Sequence, residues 1–210
     1  MAKGILIAAM DFAAAEADEF HDWYDLEHLR ERLLVPGFLN AERWIGLDRG
    51  TISLATYDLT AIEVLESSAY LAVAGENASP WTKRIGRLCP LLIRYEGEQT
   101  NPGENTAPPE AEGLLLVAMN IDPEYEIEFN EWYDREHIPA LSAVPGALAA
   151  RRYRGRGATQ RYVALYHFLS PETPSSRAWK EAAGTSWTDR LRPHFRDLLR
   201  IECRRYRRSA

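Results

Sequence analysis

Apolar and polar positions change period along the chain in one fixed order, and then do so again. Residues 4–10 form a short continuous apolar run, the pattern of a strand buried on both faces. Residues 16–29 set Phe20, Trp23 and Tyr24 on one side of a helical wheel and predict a helix. Strands are expected at 38–46 and 51–59, joined through LDRG as a hairpin. A second helical region covers 61–72, followed by Ser79 and Pro80, a short helix from Trp81 to Gly86, and a strand at 89–96. The order recurs at 113–119, 124–138, 148–155, 159–168, 173–183, 187–196 and 198–206.

The recurrence is visible letter by letter. EFHDWYDLEHLRERLLVPGFLNAERWIG (19–46) aligns with EFNEWYDREHIPALSAVPGALAARRYRG (128–155) without a gap, and WTKRIGRLCPLLIRYE resembles WTDRLRPHFRDLLRIECRRY after a connection of changed length. These are two copies of one module. Each reads β-α-β-β-α-β, an antiparallel sheet with helices on one face, so its bare apolar face needs a cover. The other copy is the obvious cover. Between them EGEQTNPGENTAPPEAEG (96–113) has no aromatic or β-branched aliphatic residue and reads as a surface linker. The expected organisation is a first ferredoxin-like module at 1–98, a linker at 99–112 and a second module at 113–210.

The repeated stretch WYDxEHxxxxxxxPGxxxxxR, Trp23 to Arg43 and Trp132 to Arg152, resembles the dimeric α+β barrel superfamily, and within it EthD-like and antibiotic-biosynthesis-monooxygenase-like proteins. The resemblance implies an α+β fold in which the two antiparallel sheets pack face to face as a barrel within one chain. It selects no activity, because that superfamily hosts monooxygenases, isomerases and haem enzymes. It also implies that the histidine of the EH motif, here His28 and His137, lies nearest the pocket.

A chain that is 46 % hydrophobic and 27 % charged has the balance of a soluble globular protein. It holds no run of 18 apolar residues and starts without a signal-peptide pattern, so a cytoplasmic protein that does not span a membrane is expected. Cys89 and Cys203 are too few and too far apart for a disulfide scaffold or a metal knuckle. The net charge of −6 argues against nucleic acid as a partner. Without a glycine-rich phosphate loop, G-x-S-x-G or H-E-x-x-H, nucleotide-binding, hydrolase and zincin readings fall away.

On the wheel Glu27 falls between Trp23 and Tyr24, and Glu136 between Trp132 and Tyr133, so each carboxylate is expected to be mostly buried and hydrogen-bonded. It then serves either as a general acid or base or as a tie within the fold. His28 and His137 follow, within one turn of Asp25 and Asp134, which would favour the charged imidazole and fix its tautomer. Pro139 is expected to end or kink the second helix and leave His137 at its negative pole. Arg43 and Arg152, beside small Ala41 and Ala150, would hold a carboxylate or enolate, or pair with a helix carboxylate. Tyr57 and Tyr166 are candidates for the same wall, or plain core. His21, Asp25 and His28 share a helix face, but copy two has Asn130 for His21, and no metal is expected.

The leading expectation is a cofactor-independent acid/base enzyme, of isomerase, lyase/cyclase or oxygenase type, acting on a hydrophobic carbonyl compound. His28 or His137 moves the proton, Glu27 or Glu136 is its partner, Tyr24 or Tyr133 donates to the oxyanion, and Arg43 or Arg152 fixes an anionic end, with Trp23 and Trp132 alongside. Copy two is the preferred site, for Pro139 and for the positive potential of Arg151, Arg152 and Arg154. One alternative puts haem in the pocket on His28, His137, His167 or His194. Another makes the chain a non-catalytic binder. The expected partner is a hydrophobic or aromatic small molecule, and the expected assembly a monomer or homodimer.

Overall fold

The computed structural model describes residues 2–208. Eight antiparallel strands close into one barrel: β1 (Gly4–Asp11), β2 (Glu42–Gly46), β3 (Ile52–Leu59), β4 (Leu91–Asn101), β5 (Gly113–Ile121), β6 (Ala147–Gly155), β7 (Tyr162–Phe168) and β8 (Phe195–Arg205). Their spatial order is β1-β3-β2-β8-β5-β7-β6-β4. Each repeat contributes four neighbouring strands in the same internal order, and the two sheets join at β2 with β8 and at β4 with β6. Closure leaves no free sheet edge. The chain is an α+β fold of two ferredoxin-like modules sharing one barrel.

Strand alternation divides the side chains into two sets. Ile5, Ile7, Leu54, Leu114, Leu116, Val163 and Leu165 fill the barrel with Trp44, Tyr95 and Tyr153. Their neighbours Leu6, Tyr57, Leu115 and Tyr166 point outward and are covered by helices. The apolar faces left bare by the helices are therefore the ones that meet.

The helices of the first repeat are α1 (Ala17–Asp22), α2 (Leu29–Leu33), α3 (Ser68–Leu71) and α4 (Pro80–Leu88), and those of the second are α5 (Glu126–Trp132), α6 (Ile138–Ser142), α7 (Arg177–Ala183) and α8 (Ser186–Leu191). Ser79 and Thr185 cap α4 and α8 through their side-chain oxygens. A π turn (Trp23–His28) joins α1 to α2, and another (Tyr133–His137) joins α5 to α6, so each pair is one continuous helix. Pro139 does not end the helix as expected, because it falls just past the wide turn, at the start of α6, where a missing N–H is tolerated. After the helices Gly37 and Gly146 turn the chain at φ +102° and +89°.

The end of β4 and the segment after it differ from the expectation for a physical reason. β4 continues to Asn101, beyond the expected end at 96, because the edge of β6 is there to pair with: Gly97, Glu98 and Gln99 face Gly155, Arg154 and Tyr153. The rest of the segment between the repeats is pinned to the barrel. Gln99 Oε1 accepts the N–H groups of Gly103 (3.0 Å) and Asn105 (2.9 Å), Asp58 accepts that of Ala107 (2.7 Å), and Ala107 and Ala111 are buried. Backbone hydrogen bonds to buried side chains hold what its own composition would leave in solvent. Among the described residues no helix is long and apolar enough to cross a membrane.

Candidate functional site

The π turn decides which side chain of the repeated motif faces inward. With one extra residue in the turn, positions after Trp23 lag behind an ideal wheel, so His28 is brought under the helix and Glu27 moves to its flank. The same shift applies to His137 and Glu136 in the second repeat.

His28 opens into a cavity of about 430 Å³ between the sheet and the helices of the first repeat, with Trp23, Tyr24 and Tyr57 in the same wall. Leu6, Ala8 and Met10 of β1 form its floor, and Arg32, Tyr70, Cys89 and Arg94 complete it. The His28 ring packs on Trp23 at 4.5 Å and edge-on to Tyr24 and Tyr57, at 5.4 and 6.5 Å between centroids. Its Nδ1 is buried and makes no hydrogen bond, and neither does the Tyr57 hydroxyl. Burial, reinforced by the charges of Arg32 and Arg43, pulls the His28 pKa down to about 3. This corrects the expectation of a charged imidazole, because Asp25 is engaged by Arg43. Burial also holds the Tyr57 hydroxyl protonated, well above its usual range, and pushes that of Tyr24 up to about 12. The wall of the cavity thus carries a neutral imidazole and a protonated phenol.

The other candidates of the first repeat lie outside this cavity. Glu27 is half-buried and accepts hydrogen bonds from Ser79 Oγ at 2.5 Å and Thr82 Oγ1 at 3.2 Å, while Trp23 Nε1 donates to the same Thr82 oxygen at 2.9 Å. These bonds tie the motif helix to the start of α4. Arg43 donates to Asp25 at 2.9 Å, shares a 2.9 Å hydrogen bond with His21, and lies over the rings of Tyr24 and Tyr206 at 4.2 and 4.1 Å. It pairs with the helix carboxylate, one of the two outcomes expected for it. His21, Asp25 and His28 do not converge, and among the described residues no three His, Cys, Asp or Glu side chains gather as a metal site.

The second repeat holds a smaller cavity of about 310 Å³, lined by His137, Tyr166, Leu141, Trp179 and Arg200. Burial and the charge of Arg152 bring the His137 pKa to about 3. Thr185 donates to Glu136 at 2.5 Å, and Trp132 Nε1 donates to Thr188 at 3.2 Å, so the tie to the following helix is repeated. Arg152 lies over the Tyr133 ring at 4.2 Å and donates to Asn130, and exposed Asp134 accepts from Asn101. Arg151, expected to supply surface potential, is sealed inside the barrel against Asp58 at 2.5 Å. Its strand register, one residue off that of Arg152, turns it to the opposite face.

Two further histidines are engaged elsewhere. His167 is fully buried in the barrel, 3.4 Å from Arg151, and burial holds its pKa far below the usual range. His194 stacks on Tyr125 at 3.5 Å and meets Asp122 at 3.2 Å. Neither lines the cavities of the two repeats. The residues that sequence reasoning passed over are Arg32, Tyr70 and Arg94. The signal for the first two was a difference between copies, since Leu141 and Trp179 stand at their places in the second repeat.

Neither a protein-family model nor a curated protein matches the sequence. Solved structures do match its fold over almost the whole chain. A candidate monooxygenase of Fusobacterium nucleatum subsp. nucleatum superposes with a TM-score of 0.68 at 9 % identity, covering 98 % of this chain and 93 % of that one. A candidate chlorite dismutase gives 0.68 at 13 % identity, covering 99 % and 96 %. An anthrone oxidase-like protein gives 0.63 at 11 % identity, covering 97 % and 92 %. The fold is that of the ferredoxin-like α+β barrels.

Proposed function

We propose that the chain is a small-molecule enzyme of the EthD-like or antibiotic-biosynthesis-monooxygenase-like kind, and that its reaction runs in the cavity of the first repeat without an organic cofactor. The observation that carries this reading is a neutral His28 beside the unpaired hydroxyl of Tyr57 in a cavity that also holds Arg32 and Tyr70, which the matching pair His137 and Tyr166 of the second repeat lacks. Buried polar atoms without partners are costly, and they persist where a ligand supplies the missing bond. With a hydrophobic carbonyl compound bound, His28 takes a proton from the carbon next to the carbonyl, and Tyr57 donates to the oxygen on which charge develops. The enolate then collapses to an isomer, loses water on cyclising, or meets dioxygen to give an oxygenated product. The likeness in fold to a candidate monooxygenase and an anthrone oxidase-like protein supports an aromatic carbonyl substrate.

Haem fits the site poorly. An axial histidine normally has its second ring nitrogen anchored by a carboxylate or carbonyl, and the Nδ1 atoms of His28 and His137 are anchored by nothing. The visible spectrum of protein purified from haem-replete cells tests this directly. The enzyme reading is tested by a screen of anthrones, quinols and polyketide-like ketones, followed first by thermal shift and then by turnover. Compounds that bind without conversion would make the chain a binder instead.

A further inference from the structure

Arg32 is the buried cation of the first cavity, and it has donors to spare. It lies on α2, buried to 5 % exposure, and faces the cavity beside His28 and Tyr70. Its one hydrogen bond goes from NH1 to the carbonyl of Val73 at 3.0 Å, and the nearest carboxylate, that of its neighbour Glu31, stands 3.9 Å away. A guanidinium carries five N–H donors in a fork suited to a carboxylate. Two other buried arginines have a carboxylate at hydrogen-bond distance, Arg43 with Asp25 at 2.9 Å and Arg151 with Asp58 at 2.5 Å, while Arg152, which lines neither cavity, donates to Asn130 and lies over the Tyr133 ring. Arg94, in the same wall as Arg32, is already ion-paired with Glu96.

Arg94 also donates to the Tyr70 hydroxyl at 3.0 Å, which leaves the hydroxyl proton of Tyr70 free to be given away. The Arg32 guanidinium sits 5.5 Å from the centre of that same ring. A fork of charge and a phenol donor thus stand together at one side of an otherwise apolar cavity. In the second repeat both are gone, replaced by Leu141 and Trp179, although the histidine, the strand tyrosine and the arginine of the last strand are kept as His137, Tyr166 and Arg200. The two repeats share the framework and differ in the buried anion site: the second cavity is lined by exposed Lys180 and Arg192 but has no buried cation.

Resting on the reading of this cavity as the ligand site, we propose that Arg32, assisted by Tyr70, anchors a carboxylate on the substrate, so that the first repeat takes aromatic acids and the second does not. An anion at Arg32 also removes a positive charge that disfavours protonation of His28, so binding the acid makes the imidazole a better base. Substrate recognition and proton transfer are then coupled through one charge.

The test compares 2-naphthoate with 2-naphthamide, which share shape and differ in charge, by calorimetric titration of the whole chain. The wild type should bind the acid roughly tenfold or more tightly, the range for a charge-assisted hydrogen bond. Arg32→Leu and Arg32→Gln should lose that preference while binding the amide as before, which also shows that the cavity has survived. Arg94→Gln should keep most of the preference, because Arg94 is already paired. Equal affinity for acid and amide in the wild type, survival of the preference in both Arg32 variants, or binding of neither compound would overturn the proposal. A preference that depends on Arg32, in a chain that converts no compound of the screen, would leave the anchor standing and remove only the enzymatic reading.

Discussion

Asp58 of the first repeat and Arg151 of the second meet at 2.5 Å inside the barrel, with side chains 1 % and 0 % exposed. In the alignment of the repeats Asp58 corresponds to His167, and Arg151 to Glu42. All four are buried, and they place acidic groups in the first copy against basic groups in the second. Two first copies facing each other would bury only like charges there, so this layer favours the pairing of unlike halves. Removing one partner strands the other: Asp58→Ala and Arg151→Ala should each cost about 3–5 kcal/mol in urea unfolding. The double replacement should cost clearly less than the sum. Additive losses would mean that the two groups do not depend on each other.

The same aspartate holds the segment between the repeats. Because Asp58 and Gln99 take its backbone N–H groups, residues 102–112 should resist limited proteolysis in the intact protein. Gln99→Ala should open the segment to cleavage while circular dichroism stays unchanged. Equal cleavage rates in both proteins would show the pinning to be idle.

Much of this architecture is legible in the letters. The repeat, the strand order and the burial of the bare sheet faces follow from periodicity and from WYDxEH read twice. What the letters hide is long-range. Nothing in EGEQTN announces a strand, because its reason for pairing is the edge of β6, some fifty residues later. The π turn is hidden too, and it moves Glu27 from the apolar face to the flank and brings His28 into the cavity. Arg43 and Arg32 are both arginines near a helix of the same repeat; only the folded chain shows that the first already has Asp25 while the second faces the cavity with one hydrogen bond.

Glu27 and Glu136 each accept from hydroxyls at the start of the last helix of their repeat, α4 and α8, at 2.5 Å from Ser79 and Thr185. Glu27→Ala and Glu136→Ala leave those donors short of an acceptor and should cost about 1–2 kcal/mol each, since both carboxylates are half-buried. Denaturant midpoints check this. Glu27→Gln should recover part of the loss, because an amide oxygen still accepts; no recovery would point to charge rather than hydrogen bonding.

His28 and His137 take up a proton only near pH 3 in the folded chain, against about 6.5 when unfolded. Between these values the unfolded state binds more protons. Stability contributed by keeping the rings neutral is therefore full above about pH 6.5 and is lost progressively as the pH falls towards 3. At pH 5 the loss amounts to about 2 kcal/mol per histidine relative to neutral pH. Replacing both with glutamine should flatten the decline of the urea midpoint between pH 7 and 5. An unchanged slope would place the acid sensitivity in other groups, first among them buried His167.

For turnover, the two repeats should behave differently although their motifs match. Both cavities set a histidine beside an unpaired strand tyrosine, His28 with Tyr57 and His137 with Tyr166, but the first is the larger, at about 430 against 310 Å³, and adds Arg32 and Tyr70. His28→Ala should lower kcat by roughly 10²- to 10⁴-fold, the range for a positioned base, while His137→Ala should leave it within a few fold. Tyr57→Phe removes one hydrogen bond from the oxyanion and should lower kcat by roughly 10²-fold with little change in KM, since the donor matters most when charge has formed. The pH profile adds an independent check. With His28 neutral down to about pH 3, kcat/KM should show no limb near pH 6.5 that depends on this imidazole. A limb at pH 6–7 that disappears in His28→Ala would show that the free imidazole is more basic than its buried setting dictates. Loss of activity in His137→Ala alone would move the chemistry to the second repeat.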